Sequence, residues 1–134
     1  MILPPLLVSA VALVRDRRVL MVTARGRDVY YMPGGKVDAG ESAAQAAARE
    51  AREEVALILD ADELTELFEV RTQAHGEPDG RMVHMTVFRG ETTAEPEPSA
   101  EVGAIHWVTT ADADRCPPAG RAVLERLTAL NLID

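Results

Sequence analysis

One segment of the chain, Ala43–Val55, constrains the fold most, because its composition allows almost nothing but helix. The segment consists mainly of Ala, Arg, Glu and Gln and contains neither Gly nor Pro, and these residue types have high helix propensity. Ser42 precedes it as a helix N-cap, and Gln45, three residues later, completes a capping box. The sequence therefore predicts a helix that begins after Ser42 and ends near Val55.

The segments on both sides of this helix have the patterns of strands. Residues 6–14 and 19–24 are apolar and rich in β-branched side chains, and the polar run between them predicts a hairpin turn. Residues 29–32 form another short apolar stretch, which ends at the strong break Pro33-Gly34-Gly35. After the helix, strands are predicted at residues 64–72, 81–89 and 104–108, and a closing amphipathic helix at residues 120–130.

The order of these elements predicts a single domain over residues 1–134, because no internal repeat or long linker divides the chain. Residues 92–101 are acidic and rich in Pro, and they are predicted to form an exposed loop. The fold class that follows is α/β (α+β), with a mixed β-sheet between helices that cover both of its faces.

The charge balance excludes some classes of partner. The net charge is -8, with 22 acidic and 14 basic residues, so binding to a nucleic acid polymer through its phosphates is not expected.

The apolar run of residues 1–14 lacks a basic start and is too short to span a membrane, so we expect a buried strand there. Cys116 is the only cysteine and cannot form an internal disulfide, which favours a reducing, cytoplasmic compartment.

Three carboxylates on the predicted helix indicate a metal site. Glu50, Glu53 and Glu54 stand at positions i, i+3 and i+4, so a helix places them on one face, where they repel one another. A divalent cation with hard oxygen ligands, such as magnesium or manganese, relieves this repulsion. The alternative is a solvated helix face on which Arg49 and Arg52 pair with the glutamates.

Glycines precede this helix in a way that suits phosphate binding. Gly34, Gly35 and Gly40 permit a tight loop with unusual backbone angles. Such a loop can bring the free N–H groups of a helix N-terminus close to a phosphate or a carboxylate. A metal-loaded carboxylate face behind a glycine loop is an arrangement that phosphoryl chemistry requires.

The stretch of residues 35–57 resembles the Nudix box, G-x5-E-x7-R-E-U-x-E-E-x-G-U, in which U is a bulky apolar residue. The positions that match at the required spacing are Gly35, Glu41, Arg49, Glu50, Glu53, Glu54 and Leu57. Ala51 is small for the first U, and Ala56 replaces the last glycine, which leaves the geometry at the end of the helix open. Residues 31–37 and 105–108 also resemble the family, so the resemblance covers nearly the whole chain.

The resemblance implies a small, single-domain, MutT-like Nudix hydrolase with the family's α/β/α sandwich. It implies that Glu50, Glu53 and Glu54 hold Mg²⁺, with Mn²⁺ as the alternative, and that the ion bridges to a diphosphate. Glu50 is the first candidate for the base that activates water, and Glu53 belongs to the same catalytic set. Glu97 and Glu101 lie in the acidic loop, where either is a candidate for a further metal ligand or for the base; for the ligand we favour Glu101.

Arg49 completes the expected catalytic set as a residue that orients a carboxylate. Because it lies about 100° from Glu50 around a helix, we expect it to serve Glu41 or Glu53 rather than the metal. The expected substrate-binding residues are Gly34, Gly35, Lys36 and Tyr31. For Lys36 the alternative is plain solvent exposure, and for Tyr31 it is a place in the core. His84 is either a pocket residue or, as we favour, a packed strand residue.

The leading functional hypothesis is hydrolysis of a nucleoside diphosphate linked to another group X, with a nucleoside triphosphate as the first candidate substrate. ADP-ribose, dinucleotides and nucleotide sugars stay open, because recognition of the base lies outside the box. The competing hypothesis is a non-catalytic, nucleotide-sensing domain on the same fold. Such sensors usually lose box carboxylates, whereas this chain retains them. Nucleotide is the expected partner, no membrane partner is expected, and a homodimer is left open.

Overall fold

The structure is a computed structural model that describes residues 3–78 and 80–134. Its strands and helices are, in order, β1 (Leu6–Arg15), β2 (Arg18–Ala24), β3 (Gly34–Lys36), α1 (Ala43–Val55), β4 (Thr65–Gln73), β5 (Met82–Gly90), β6 (Val102–Val108) and α2 (Pro118–Ala129). Short 3-10 helices at Ala61–Glu63 and Thr110–Arg115 precede β4 and α2. No helix among the described residues combines the length and the apolar character that crossing a membrane requires.

The sheet is mixed, and β1 lies at its centre. The strand order is β4-β5-β1-β2-β6, and β1 is parallel to β5 along most of its length. The antiparallel pairing of β1 with β2 is confined to Val14↔Val19 and Arg15↔Arg18, beside the turn that joins them. Farther from the turn, β1 pairs with β3 instead. The space between β1 and β2 therefore widens away from their turn, and the cleft described below opens there.

The two helices cover opposite faces of the sheet, which confirms the predicted arrangement. Successive strand residues point to opposite faces, so Val11 and Leu13 of β1 contact the α1 side, whereas Ala10 and Ala12 contact the α2 side. The core on the α1 side includes Leu20, Val22, Ala47, Ala51, Val55 and Phe88. The core on the α2 side includes Met21, Phe68, Val87, Val123, Leu124 and Leu127.

The ends of α1 are fixed by its own sequence. The Ser42 side chain accepts a hydrogen bond from the Gln45 N–H at 3.0 Å, and the Gln45 side chain accepts one from the Ser42 N–H at 2.9 Å, so the predicted capping box is confirmed. At the other end, Ala56 adopts φ 57° and ψ 30°; its N–H donates to the Arg52 carbonyl at 3.2 Å, and the Leu57 N–H donates to the Ala51 carbonyl at 3.4 Å. The chain thus leaves the helix through a left-handed residue although no glycine is present there.

The apolar stretch before the double glycine is not a regular strand, and a strand forms just after it. Residues 29–32 make only an isolated bridge, Val22↔Tyr31, and the strand forms at Gly34–Lys36, where the sequence predicted a break. The glycine permits this pairing, because a Cβ at Gly34 would collide with the backbone oxygen of Ser9 and with Ala10. The close approach of β3 to β1 is a long-range contact, and the local sequence signal of a break does not reveal it.

The acidic loop at residues 92–101 is exposed for the most part, but its backbone is held in place. The N–H of Glu97 donates to the Val55 carbonyl at 2.9 Å, and the N–H of Ser99 donates to the Glu54 carbonyl at 3.0 Å. These bonds satisfy carbonyls in the last turn of α1, which have no partner within the helix. Arg15 donates to the carbonyls of Thr92 and Ala94 and holds the beginning of the loop.

Candidate active site

Each residue of β3 contacts the acidic side of α1. The Gly34 N–H donates to Glu54 Oε1 at 2.9 Å, and the Lys36 carbonyl accepts from Arg49 Nη2 at 3.1 Å. Between them, Gly35 lies directly against Glu50, so that a Cβ on Gly35 would stand 2.5 Å from Glu50 Oε1. Gly35 of the box is therefore required by its close contact with a carboxylate, since a side chain there would displace Glu50.

Arg49 organises the carboxylates around it. Its guanidinium makes a two-point contact with Glu41, Nε to Oε2 at 2.7 Å and Nη2 to Oε1 at 3.0 Å. The same guanidinium donates to Glu50 Oε1 at 2.9 Å and to Glu53 Oε2 at 3.4 Å. The orienting contacts expected for Glu41 and Glu53 are present, and the flexible arginine also reaches Glu50 despite the 100° between their directions on the helix.

The ion pair with Arg49 changes the acidity of Glu41. The hydrogen bond from Arg49, together with one from the Asp38 N–H, lowers the pKa of Glu41 to about 2. The Glu41 carboxylate therefore stays charged over the whole physiological pH range, and it anchors Arg49 beside the other carboxylates.

Glu54 lies in a different environment from Glu50 and Glu53. Burial raises the pKa of Glu54 to about 7, and the negative charges of Glu50 and Glu53 add to the rise, against the hydrogen bond from Gly34. No Arg, Lys or His forms an ion pair with Glu54 among the residues that the structure describes. A partly desolvated carboxylate next to two others is an environment that a nearby cation would stabilise.

The three glutamates fit a divalent metal by their chemistry, although they are not gathered around one point. Within residues 3–78 and 80–134, no group of three or more His, Cys, Asp or Glu side chains stands at metal-binding distances. Glu50 and Glu53 are turned toward Arg49, and Glu54 is turned toward Gly34. They nevertheless project from adjacent turns of one helix as hard oxygen donors, the type that Mg²⁺ and Mn²⁺ prefer.

A cleft of about 360 Å³ opens beside Glu54 and Gly34. Its walls are mainly apolar, with side chains from the beginning of β1, the end of β2 and the beginning of β5. Tyr31 and His75 line the cleft and meet edge to face, with ring centroids 6.1 Å apart. Glu101 also lines it. Apolar clefts of this size with a few polar groups are typical small-molecule sites.

The other residues expected at the site have different positions. Lys36 is exposed and does not line the cleft. Glu97 is also exposed and outside the cleft, and only its backbone is tied to α1. His84 lies on β5 between Val83 and Met85, which do line the cleft, so its side chain points to the opposite face of the sheet. Of the two candidate glutamates in the acidic loop, Glu97 and Glu101, it is thus Glu101 that shares a cavity with Glu54.

Some residues of the cleft were not predicted, because no local sequence pattern indicates them. His75 comes from the loop between β4 and β5, and its contact with Tyr31 joins positions far apart in the chain. Tyr30 lines the cleft as well, and its ring stacks on His106 with centroids 4.4 Å apart. The pairing of β2 with β6 brings His106 next to Met21 and so close to the residues that follow β2.

Comparison with known families decides which family this arrangement belongs to. The family model of the NUDIX domain matches residues 5–128. The chain belongs to the Nudix family. It is accordingly a Nudix hydrolase, an enzyme that acts on a phosphoanhydride bond. A comparison with curated proteins found no match.

Solved structures show the same fold. The Nudix hydrolase described here is similar to the MutT NUDIX hydrolase from Burkholderia pseudomallei, with 26% identity and a TM-score of 0.74, over 93% of this chain and 99% of that one. It is also similar to the E. coli ORF135 protein, with 23% identity and a TM-score of 0.76, over 96% and 92% of the two chains. For the E. coli dihydroneopterin triphosphate pyrophosphohydrolase the identity is 23% and the TM-score 0.72, over 98% and 99%.

Proposed function

We propose that this Nudix hydrolase cleaves the diphosphate of a nucleoside diphosphate linked to another group, in a reaction that depends on Mg²⁺. A nucleoside triphosphate is the leading substrate. The observation that carries the proposal is the shared wall at Glu54 and Gly34, where the carboxylate face of α1 meets the apolar cleft. A substrate with an apolar, planar end and an anionic end fits this combination.

In this proposal the nucleotide lies partly in the cleft and partly along α1. The base enters among the apolar walls and contacts the aromatic rings of Tyr31 and His75. The diphosphate then extends past Gly34 and Gly35 toward the glutamates of α1. Lys36 is exposed immediately after these glycines, where its flexible ammonium group can reach a phosphate oxygen.

In this proposal Glu50, Glu53 and Glu54 hold the metal, and Glu101, which lines the same cleft as Glu54, is a further ligand. A divalent cation bound by these carboxylates would supply positive charge to the diphosphate oxygens and make a bound water more acidic. Arg49 keeps Glu50 and Glu53 in position through its guanidinium. Glu50 is the first candidate for the base that takes the proton of the attacking water, with Glu101 as the alternative.

Relatives with known names differ in what they act on. The similar structures include an Ap4A hydrolase from C. elegans and a bifunctional NMN adenylyltransferase/ADP ribose pyrophosphatase from Francisella tularensis, which is complexed with AMP and Mn. Together with the dihydroneopterin triphosphate enzyme, they support the cleavage of a diphosphate and the use of a divalent metal. They do not favour one X group for this chain, so the substrate must be found by experiment.

The experiment is a screen for phosphate and pyrophosphate release with Mg²⁺ over deoxynucleoside triphosphates, an oxidised guanine nucleotide, ADP-ribose, dinucleotides and nucleotide sugars. We expect turnover of one substrate class, its loss with EDTA and its recovery with added Mg²⁺ or Mn²⁺. Tight binding of one compound without turnover of any would contradict the proposal and favour a nucleotide-sensing domain.

The proposal extends to the setting of the enzyme. We propose that residues 1–134 act as one Nudix domain, with the box at residues 35–57, in the reducing environment of the cytoplasm. Cys116 is buried and unpaired, which is consistent with such a compartment. A homodimer is the alternative to a monomer, and light scattering of the purified chain distinguishes them.

A further inference from the structure

A serine in the centre of the sheet has an unused hydrogen-bonding group. Ser9 lies in β1 with no exposed surface, and its Oγ has no hydrogen-bond partner among the described residues. Buried hydroxyl groups are normally paired, because losing their hydrogen bonds to water is unfavourable. A buried hydroxyl without a partner therefore calls for an explanation at its position in the fold.

The strand geometry directs Ser9 toward α1. Val11 and Leu13, two and four residues later in β1, pack on the α1 side, and Ser9 follows the same alternation. Ser9 is paired with Gly35 across the antiparallel ladder. Directly paired residues have their Cβ positions about 4.5–5.5 Å apart on the same face of the sheet, so the Ser9 side chain lies beside the space above Gly35.

The carboxylate of Glu50 occupies that space. A Cβ on Gly35 would be 2.5 Å from Glu50 Oε1 and 2.9 Å from Glu50 Oε2. Oε1 accepts a hydrogen bond from Arg49, whereas Oε2 has no hydrogen-bond donor among the described residues. Glu50 Oε2 on the helix can thus accept a further hydrogen bond, and the Ser9 hydroxyl on the neighbouring strand has no partner to which it donates.

We propose that Ser9 is a positioning residue for Glu50. Its hydroxyl donates to the Glu50 carboxylate, either after a small rotation of the side chains or through one bridging water. Together with Arg49 on the other side, this bond fixes the direction in which Glu50 presents its oxygens. The inference rests on the proposed function, because it takes Glu50 as a ligand of the divalent metal.

The test compares metal binding with stability in Ser9→Ala. Mn²⁺ affinity is measured by calorimetric titration of the full chain, and thermal unfolding is followed without metal. We expect Mn²⁺ binding to weaken about 10-fold, since hydrogen bonds that orient a ligand contribute 10- to 100-fold to affinity. The unfolding midpoint is expected to stay equal or to rise, because the variant removes an unpaired buried hydroxyl. Ser9→Thr retains a hydroxyl and is expected to recover most of the affinity.

Thr72→Val is the matched control. Thr72 Oγ1 is also buried without a partner, but Thr72 pairs with Val83, whose side chain lines the cleft, and so lies on the face opposite to Glu50. This variant is expected to leave Mn²⁺ affinity unchanged. A purely structural role of buried hydroxyls would instead change both variants in the same way.

Mn²⁺ affinity of Ser9→Ala within twofold of the original chain would overturn the inference. If Ser9→Ala is destabilised and binds Mn²⁺ weakly, Ser9→Thr decides, and restored stability without restored affinity also overturns it. The proposed function fails separately, when the original chain turns over no nucleotide. Weaker Mn²⁺ binding in Ser9→Ala would support the role of Ser9 even then, whereas an original chain that binds no Mn²⁺ overturns both.

Discussion

Replacing Ala56 with glycine should stabilise the protein, because Ala56 ends α1 in a left-handed conformation. With a φ of 57°, Ala56 donates its N–H to the Arg52 carbonyl, and the next residue, Leu57, donates to the Ala51 carbonyl and enters the core on the α1 side. The conformation cannot relax without moving Leu57, which is 1% exposed. The strain of the left-handed backbone is therefore retained in the folded state.

The expected gain follows from two opposing terms. A left-handed conformation costs a non-glycine residue roughly 1–2 kcal/mol. Glycine avoids this cost but gains conformational freedom in the unfolded chain, which offsets about 0.4–1 kcal/mol. We therefore expect Ala56→Gly to raise the free energy of unfolding by about 0.5–1 kcal/mol. For a chain of this size, that raises the melting temperature by roughly 2–4 °C.

The assay is thermal unfolding followed by circular dichroism and calorimetry, with Ala48→Gly as the control. Ala48 lies in the middle of α1 and is half-buried, so glycine there should lower the free energy of unfolding by about 1 kcal/mol. The two substitutions are chemically identical and should have opposite signs. A melting temperature of Ala56→Gly equal to or below that of the original chain would refute the reasoning.

Three further predictions concern the carboxylates and the cysteine. Glu53→Gln or Glu54→Gln should lower turnover at least about 10-fold with the fold intact, whereas Glu63→Gln, on the exposed 3-10 helix, should not; equal kinetics in all three would contradict the metal assignment. The pKa of Glu41, about 2 in the folded chain against an ordinary 4.5, means that its stabilising effect is complete above about pH 4.5 and is lost as the pH falls toward 2. The free energy of unfolding, measured with denaturant, should therefore change less with pH in Glu41→Gln than in the original chain over this range. Equal slopes of this free energy against pH in the two proteins would contradict the prediction. Burial raises the pKa of Cys116 to about 11, so iodoacetamide at pH 8 should label it only after unfolding; equal labelling rates in buffer and in denaturant would disprove this.

Local signals in the sequence predicted the elements whose ends depend on neighbouring residues. The capping box places the start of α1 at Ala43, and the spacing of Glu50, Glu53 and Glu54 places them on one helix face. The left-handed exit at Ala56 could not be predicted in this way, because alanine gives no sign of it. The fixed path of the chain into the core at Leu57 imposes that conformation.

Contacts between distant segments could not be predicted from the sequence. Gly34 and Gly35 indicate a break when they are considered alone, and they form β3 only because β1 lies beside them. The cleft likewise depends on the divergence of β1 and β2 and on the loop that carries His75. The reach of a long side chain matters too, since Arg49 contacts Glu50 although their positions on the helix point apart.

The separation of the two cores has a consequence for how a new specificity could arise in this scaffold. The carboxylates of Glu50, Glu53 and Glu54 project from the helix on one face of the sheet, whereas Tyr31, His75 and Ala119 line the cleft and belong to neither core. Mutational drift at these three positions can therefore reshape selectivity while the two hydrophobic layers and the box stay unchanged. A library of variants at these three positions could be screened for new substrates with little effect on folding, because the residues of the box would stay the same.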